Sequence, residues 1–431
     1  MKSFQVIVII LFILFALGGI VFFATFRDNE SLADVDILIW GEENQALLNG
    51  FLSEFNKNTD NSFSLSYKEI KSEDFVVTVT DAIASDRGPD IIILSTKDLL
   101  RFEDKLFPIP YESISERSFR DIFIEGGELF LAKEGILALP LSVNPLVMYW
   151  NRDMLQSSGL SSPPQFWSEF FLFAERLTEK DDALNINKSA LAMGEYQNVQ
   201  NAKEIILSLL LQNGNKVIER GSDLGPPRVV LNRSSEAGAS SAESAIRFYT
   251  EFSNPTKITY SWNRSKNNSR EEFISGDLAL YFGLSGELRE IREKNPNLNF
   301  DVAFFPQNSG SNAKNVASEI KGLAVLKRSK NINVALAVAS SFASKENIAS
   351  YAKITALPPV RRDLLGEPPG LAFEDLFYRS ALVAKSFLDP DSLKTDAIFQ
   401  NLIERIVSGR NRISDALSRA GAELNSLLVD N

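Results

Sequence analysis

At 431 residues, 44% hydrophobic and 23% charged, the chain has ordinary globular composition and the length of two or more domains. A formal net charge of -11 argues against nucleic acid or an anionic membrane surface as partner, because a polyanion-binding face needs a surplus of Lys and Arg. The absence of any Cys or His removes disulfides, thiolate and imidazole metal sites and Cys- or His-based nucleophiles; no metal and no other cofactor is expected.

From Ser3 to Phe26 no charge interrupts a run rich in Ile, Val, Leu and Phe, long enough for a bilayer core of roughly 30 Å. Lys2 before it leaves the N-terminus in the cytoplasm and sends the remainder outside. The run exceeds the apolar core of a cleavable signal, which favours a retained transmembrane anchor and linker over residues 1–33; Ser31-Leu32-Ala33 is the site at which cleavage would occur instead. Beyond it, Ile37 to Trp40 reads as a buried strand ended by Gly41, and Leu47, Leu48, Phe51, Leu52 and Phe55 as the apolar face of a helix. Alternating Phe63, Leu65 and Tyr67 make a second strand, expected to pair in parallel through a right-handed crossover. Gly88-Pro89 turns the chain into Ile91 to Leu94, an apolar run too short for a helix. Doubly wound sheets place ligands at the carboxyl ends of such strands, which singles out Trp40 to Asn44 and Ser95 to Asp98.

Ile136 to Trp150 is apolar apart from Pro140, Ser142 and Asn144-Pro145, and reads as two extended runs meeting at a polar joint, where chain leaves one sheet and enters another. Pro163-Pro164 then precedes a helix carrying Trp167, Phe170, Phe171, Ala174 and Leu177. Ile205 to Leu211, Ala245 to Phe252 and Val334 to Phe342 are helical by pattern, and Phe373 to Val429 reads as terminal helices. Asp389-Pro390-Asp391 lacks the Gly and terminal Glu of a calcium loop and reads as a turn.

Five stretches occur in a telling order: ILIWGEENQALLNGFLSEFNKN (37–58), RGPDIIIL (87–94), the crossover with LPLSVNPLVMYWNRDML (139–155), FISGDLALYFG (273–283) and EIKGLAVLKRSKN (319–331). Together they resemble the bacterial family 1 extracellular solute-binding proteins of the maltose and oligosaccharide type. The resemblance implies an α/β, periplasmic-binding-protein-like fold of type II with two discontinuous lobes joined by a hinge. Residues 34–143 with 280–322 form lobe 1 and residues 144–279 with 323–431 lobe 2, with crossings near Ser142 to Val147, Leu278 to Phe282 and Gly322 to Val325. It also implies a monomeric extracytoplasmic binding protein without enzymatic turnover, which captures a small solute, a sugar or oligosaccharide, and delivers it to ABC transporter permease subunits. Many relatives are tethered through a lipobox cysteine; here the N-terminal helix must hold the protein to the membrane. The rival readings are a membrane-anchored sensor or scaffold, and a cell-wall carbohydrate enzyme needing two opposed carboxylates.

Glu42 and Glu43 are consecutive and rarely both face one substrate, so ligand hydrogen bonding or plain surface is expected of them, with Asn44, Ser95 and Thr96 beside them at the strand ends. Trp40 packs in the core or stacks on a sugar face. Asn144, at the polar joint, makes a structural bond or a ligand bond; relatives carry a polar ligand contact at the matching position. Tyr260 and Trp262 sit among Ser, Asn and Arg, off any apolar stripe, and are expected in the cleft. Gly283 and Ser285 match a family loop that lines the cleft, a plain turn being the other reading. Leu94 and Thr96 stand where maltose-type relatives carry aromatic or charged contacts, which points to a smaller or chemically different ligand.

Overall fold

The computed structural model describes residues 35–58, 63–231, 241–310 and 314–429. The expected anchor over residues 1–33 lies outside these, and among the described residues no helix is long and apolar enough to cross a membrane.

Strand β1 (Val35–Gly41) pairs in parallel with β2 (Phe63–Glu69) and with β3 (Ile91–Ser95), as the strand-helix-strand pattern requires. Helix α1 (Gln45–Asn58) buries Leu48, Phe51, Leu52 and Phe55, whereas Leu47 stays 38% exposed. Helix α2 (Phe75–Ala84) buries Phe75, Val79 and Ile83, a spacing of four that puts all three on one face.

Where two extended runs were expected there is one strand of 13 residues, β4 (Leu139–Asn151). It carries two sets of partners. The remaining strands of the sheet are β5 (Glu179–Lys180), β6 (Ile186–Leu191), β7 (Leu278–Leu284), β8 (Phe300–Phe304), β9 (Val316–Val325) and β10 (Ala384–Lys385). Residues 139–145 of β4 lie antiparallel to β9, and residues 146–151 antiparallel to β7 on one side and β8 on the other. Neither proline breaks the strand. Pro140 sits beside a register shift between Lys321 and Gly322 and Pro145 at the exchange of partners, places where a ladder tolerates a missing N–H donor.

The ladder therefore runs unbroken in the order β2-β1-β3-β9-β4-β7-β6-β5, with β8 beside β4 and β10 beside β9, ten strands in all. This corrects the expectation that chain leaves one sheet for another: a single sheet continues through β4. Residues 280–304, assigned from the sequence to the first lobe, pair through β7 and β8 with the C-terminal half of β4.

The helices cover both stretches of this sheet. In α3 (Phe170–Leu177) Phe170, Phe173, Ala174 and Leu177 face inward, and Phe171, expected among them, is 40% exposed. Trp167 just before it is buried, its ring 5.2 Å from Phe305 and 5.7 Å from Phe282. Helix α4 (Ala202–Gln212) docks on β9, where the Ala317 N–H donates to Ser208 Oγ at 2.9 Å. Helices α5 (Ser241–Glu251), α6 (Ile332–Phe342), α7 (Lys345–Thr355), α8 (Ser392–Val407) and α9 (Ile413–Val429) complete the cover; Phe342 of α6 reaches Phe51 and Phe55 of α1 at ring separations of 5.1 and 4.8 Å.

Candidate functional site

The carboxyl ends of β1 and β3 meet the middle of β9, and charges gather there. Glu42 and Glu43 follow β1, Lys97 follows β3, and Glu319 and Lys321 alternate on β9. Lys321 Nζ lies 3.3 Å from Glu42 and 3.0 Å from Glu43, while Lys97 Nζ lies 3.4 Å from Glu42 and 3.6 Å from Glu319. Burial alone would raise the Glu42 pKa; Lys321 and Lys97 outweigh it and hold the carboxyl below its ordinary value. For Lys321 burial pulls the other way, and Glu43, Glu319 and Glu42 together keep the ammonium charged. The two consecutive glutamates are thus held by protein cations rather than opposed across a gap, which does not suit acid–base work on a glycosidic bond. Asn44 is committed elsewhere, accepting from the N–H groups of Ala46 and Leu47 at the start of α1.

Beside this cluster opens a cavity of 860 Å³, within the range of small-molecule sites. Its lining includes Ser95, Thr96 and Lys97 at the end of β3 and Lys203, Glu204 and Leu207 of α4. Ser318 and Glu319 of β9 also line it, and Phe387 is the one aromatic among its described lining residues. Thr96 Oγ1 and Ser386 Oγ are 2.8 Å apart, joining the end of β3 to the segment after β10. Lys203 Nζ donates to Asp389 at 3.2 Å; burial would lower its pKa, but the charges of Asp389, Glu204 and Asp396 raise it. A smaller cavity of 210 Å³ lies nearby, lined by Glu43, Asn44, Ser142, Asn144, Lys321 and Tyr351 among others.

The residues singled out from the sequence are thereby divided. Ser95 and Thr96 line the large cavity; Glu43, Asn44 and Asn144 line the small one; Trp40, Glu42, Tyr260, Trp262, Gly283 and Ser285 line neither. Trp262 needs correction most plainly, since it is fully buried in the core with its indole N–H donating to Asn198 Oδ1 at 3.1 Å. Tyr260 is 7% exposed, with Lys180 Nζ 5.1 Å from its ring centre. Trp40 is 6% exposed beneath Lys68 Nζ, 4.4 Å from the ring centre, which is the packing reading rather than the stacking one. Asn144 Oδ1 accepts from Ser285 Oγ and the Gly286 N–H, both at 2.9 Å, so these predicted ligand contacts satisfy each other. Gly283 is a close-packing position. A Cβ there would lie 2.6 Å from the Tyr281 ring and 2.9 Å from that of Tyr149.

Lys97, Lys203, Glu204 and Asp389 are the wall residues that sequence reasoning passed over. Lys97 lay within the strand-end stretch Ser95 to Asp98 and needed only that positional rule. Asp389 was read as part of a turn, yet it is fully buried, accepting from Lys203 and Thr395, while Asp391 caps α8 by accepting from the Lys394 N–H. The helix-start signature there, Asp391 before an apolar-periodic run, was the available signal.

The family described as bacterial extracellular solute-binding protein matches residues 51–369. A protein of Brucella abortus (strain 2308) named as a binding protein is 21% identical over 386 residues, covering 85% of this chain and 86% of that one. Among solved structures, the cyclic alpha-maltosyl-1,6-maltose binding protein from Arthrobacter globiformis superposes with a TM-score of 0.73 at 17% identity, over 92% of this chain and 100% of that one. The sugar-binding protein of Xanthomonas citri gives 0.72 at 18% identity, over 92% and 98%. Identities this low speak for a shared fold. With the family match spanning most of the described sheet, the chain belongs to the bacterial extracellular solute-binding proteins, which act outside the cytoplasm as binding proteins and not as enzymes.

Proposed function

We propose that the chain captures a carbohydrate in the 860 Å³ cavity and delivers it to the permease of an ABC transporter. The observation that carries this reading is the cavity itself, lined by residues from the end of β3 and from α4, with Ser95, Thr96, Lys97, Lys203 and Glu204 among its polar groups. The sugar ligands named for its fold relatives supply the solute class. The end of β3 and α4 belong to two lobes, and the hinge between them passes where β4 and β9 exchange partners, near Pro145 and Ser318, with β7 and β8 moving together with the α4 side. Residues 1–33 hold this monomer at the outer face of the membrane.

Thermal unfolding of the full-length chain against a library of neutral and substituted oligosaccharides, amino acids and peptides tests the reading. A bound carbohydrate at about 100 times its Kd adds ~2.7 kcal/mol of stability, a clear rise in Tm. A shift produced by amino acids or peptides, with none from any carbohydrate, would reject the solute class.

A further inference from the structure

The buried and half-buried cations on the wall of the large cavity are already paired. Lys97 is shared by Glu42 and Glu319, Lys203 lies 3.2 Å from Asp389, and Arg220 lies 3.0 Å from Glu103. Arg120 is held by Glu128 and Lys385 by Glu125. Two further lysines of the wall, Lys216 and Lys314, are exposed to solvent. A carboxylate or phosphate on the solute would have to displace a protein carboxylate at each buried cation.

Glu204 is placed differently. It lines the same cavity from the first turn of α4, half-buried, yet among the described residues no cation stands within ion-pair distance of its carboxylate and no other residue donates a hydrogen bond to it. The neighbouring Lys203 points its amine at Asp389 and the Ser392 carbonyl instead. Burial accordingly raises the Glu204 pKa, with the more distant Lys203 charge the main opposing influence. The start of α4 offsets part of the charge, about half a unit at most. Among the buried and half-buried charges of this wall, the one left without a partner is therefore a carboxylate, while the remaining positive charge lies on exposed lysines.

Hydroxyl groups could hydrogen-bond such a carboxylate but leave its charge in place, whereas an ammonium group supplies hydrogen bonds and countercharge together. A neutral sugar face has little to stack on, since Phe387 is the one aromatic of the described lining. The chain's net charge of -11 also favours the approach of a cation. We propose that the cavity takes a saccharide bearing a protonated amine, with Glu204 as its countercharge. This rests on the carbohydrate reading above and narrows it.

Calorimetric titration of the full-length chain in detergent, wild type and Glu204→Gln, separates the two readings. The probes are the trimer of glucosamine, the trimer of N-acetylglucosamine, which has the same length without the charge, and spermidine, an amine without a sugar. The glucosamine trimer should bind the wild type and bind the variant roughly 30-fold more weakly or worse. The unliganded variant should unfold at the same temperature as wild type or higher, since its amide carries no buried charge. Equal binding of both trimers to wild type, or equal binding of the glucosamine trimer to both proteins, overturns the amine assignment and leaves the carbohydrate reading standing. Spermidine binding that is lost in Glu204→Gln, with neither trimer bound, keeps Glu204 as a cation partner and overturns the saccharide. No heat from any of the three overturns the inference as stated.

Discussion

Asp98, one residue beyond Lys97, is 3% exposed, and its carboxyl is pushed up to about 6, chiefly by burial and further by Glu42 and Asp389, against the pull of Lys97 and Arg101. A carboxyl whose folded-state pKa lies above its unfolded value of 3.8 binds a proton in the native state that the unfolded chain has lost. Stability from this group is therefore present below about pH 4 and falls as pH rises toward 6. Asp98→Asn, neutral throughout, should be more stable than wild type at pH 7 by up to ~3 kcal/mol and should match it near pH 4. Urea unfolding of both proteins across that range decides it, and a constant difference at all pH values would reject the assignment. Single residues were also where the sequence was hardest to read. Trp262 looked exposed because its neighbours are polar, but the N–H groups of Ser261 and Trp262 both turn back to the Phe252 carbonyl and carry the indole inward, to an amide partner at Asn198. No local periodicity records a partner so far away in the chain.

Elements were far more legible, because periodicity is a property of an element and survives whatever packs against it. Leu48, Phe51, Leu52 and Phe55 marked α1, alternating Leu65 and Tyr67 marked β2, and Ile91 to Leu94 marked a strand buried on both faces. The error fell on β4, where two prolines were read as a break, since sequence does not show whether a proline sits where its missing donor matters. The strand-end cluster is an element-level feature of the same kind, made by the meeting of β1, β3 and β9. Lys321, with its side chain 17% exposed, serves both Glu42 and Glu43. Lys321→Met should cost about 3 kcal/mol by leaving Glu42 with Lys97 as its remaining cation and Glu43 with no cation in ion-pair distance among the described residues, and Lys321→Met combined with Glu43→Gln should recover part of that loss. Equilibrium denaturation of the singles and the double measures the coupling. An unchanged midpoint in the single variant would mean that the cluster is effectively solvated.

Across the whole molecule, β9 lies between β3 and β4 although it follows them by well over a hundred residues, pairing Ser95 with Lys321 on one side and Ser142 with Lys321 on the other. Without it, one side of β3, its residues wholly buried in the finished protein, has no strand to bond to. A chain ended at residue 310 should consequently lack a cooperative unfolding transition, even though it holds β1 through β8. Sharp two-state unfolding of that fragment would show that the two stretches of sheet fold independently. The same placement sets a clock on biogenesis. A polypeptide passed outward in order from its N-terminal side, with the N-terminus itself left inside, cannot lock its sheet until residues 316–325 follow, and loop closure over that span is slow. Through most of its synthesis it remains an unlocked chain with an open apolar strand edge, fit to pass a narrow channel and in need of a chaperone until it has done so.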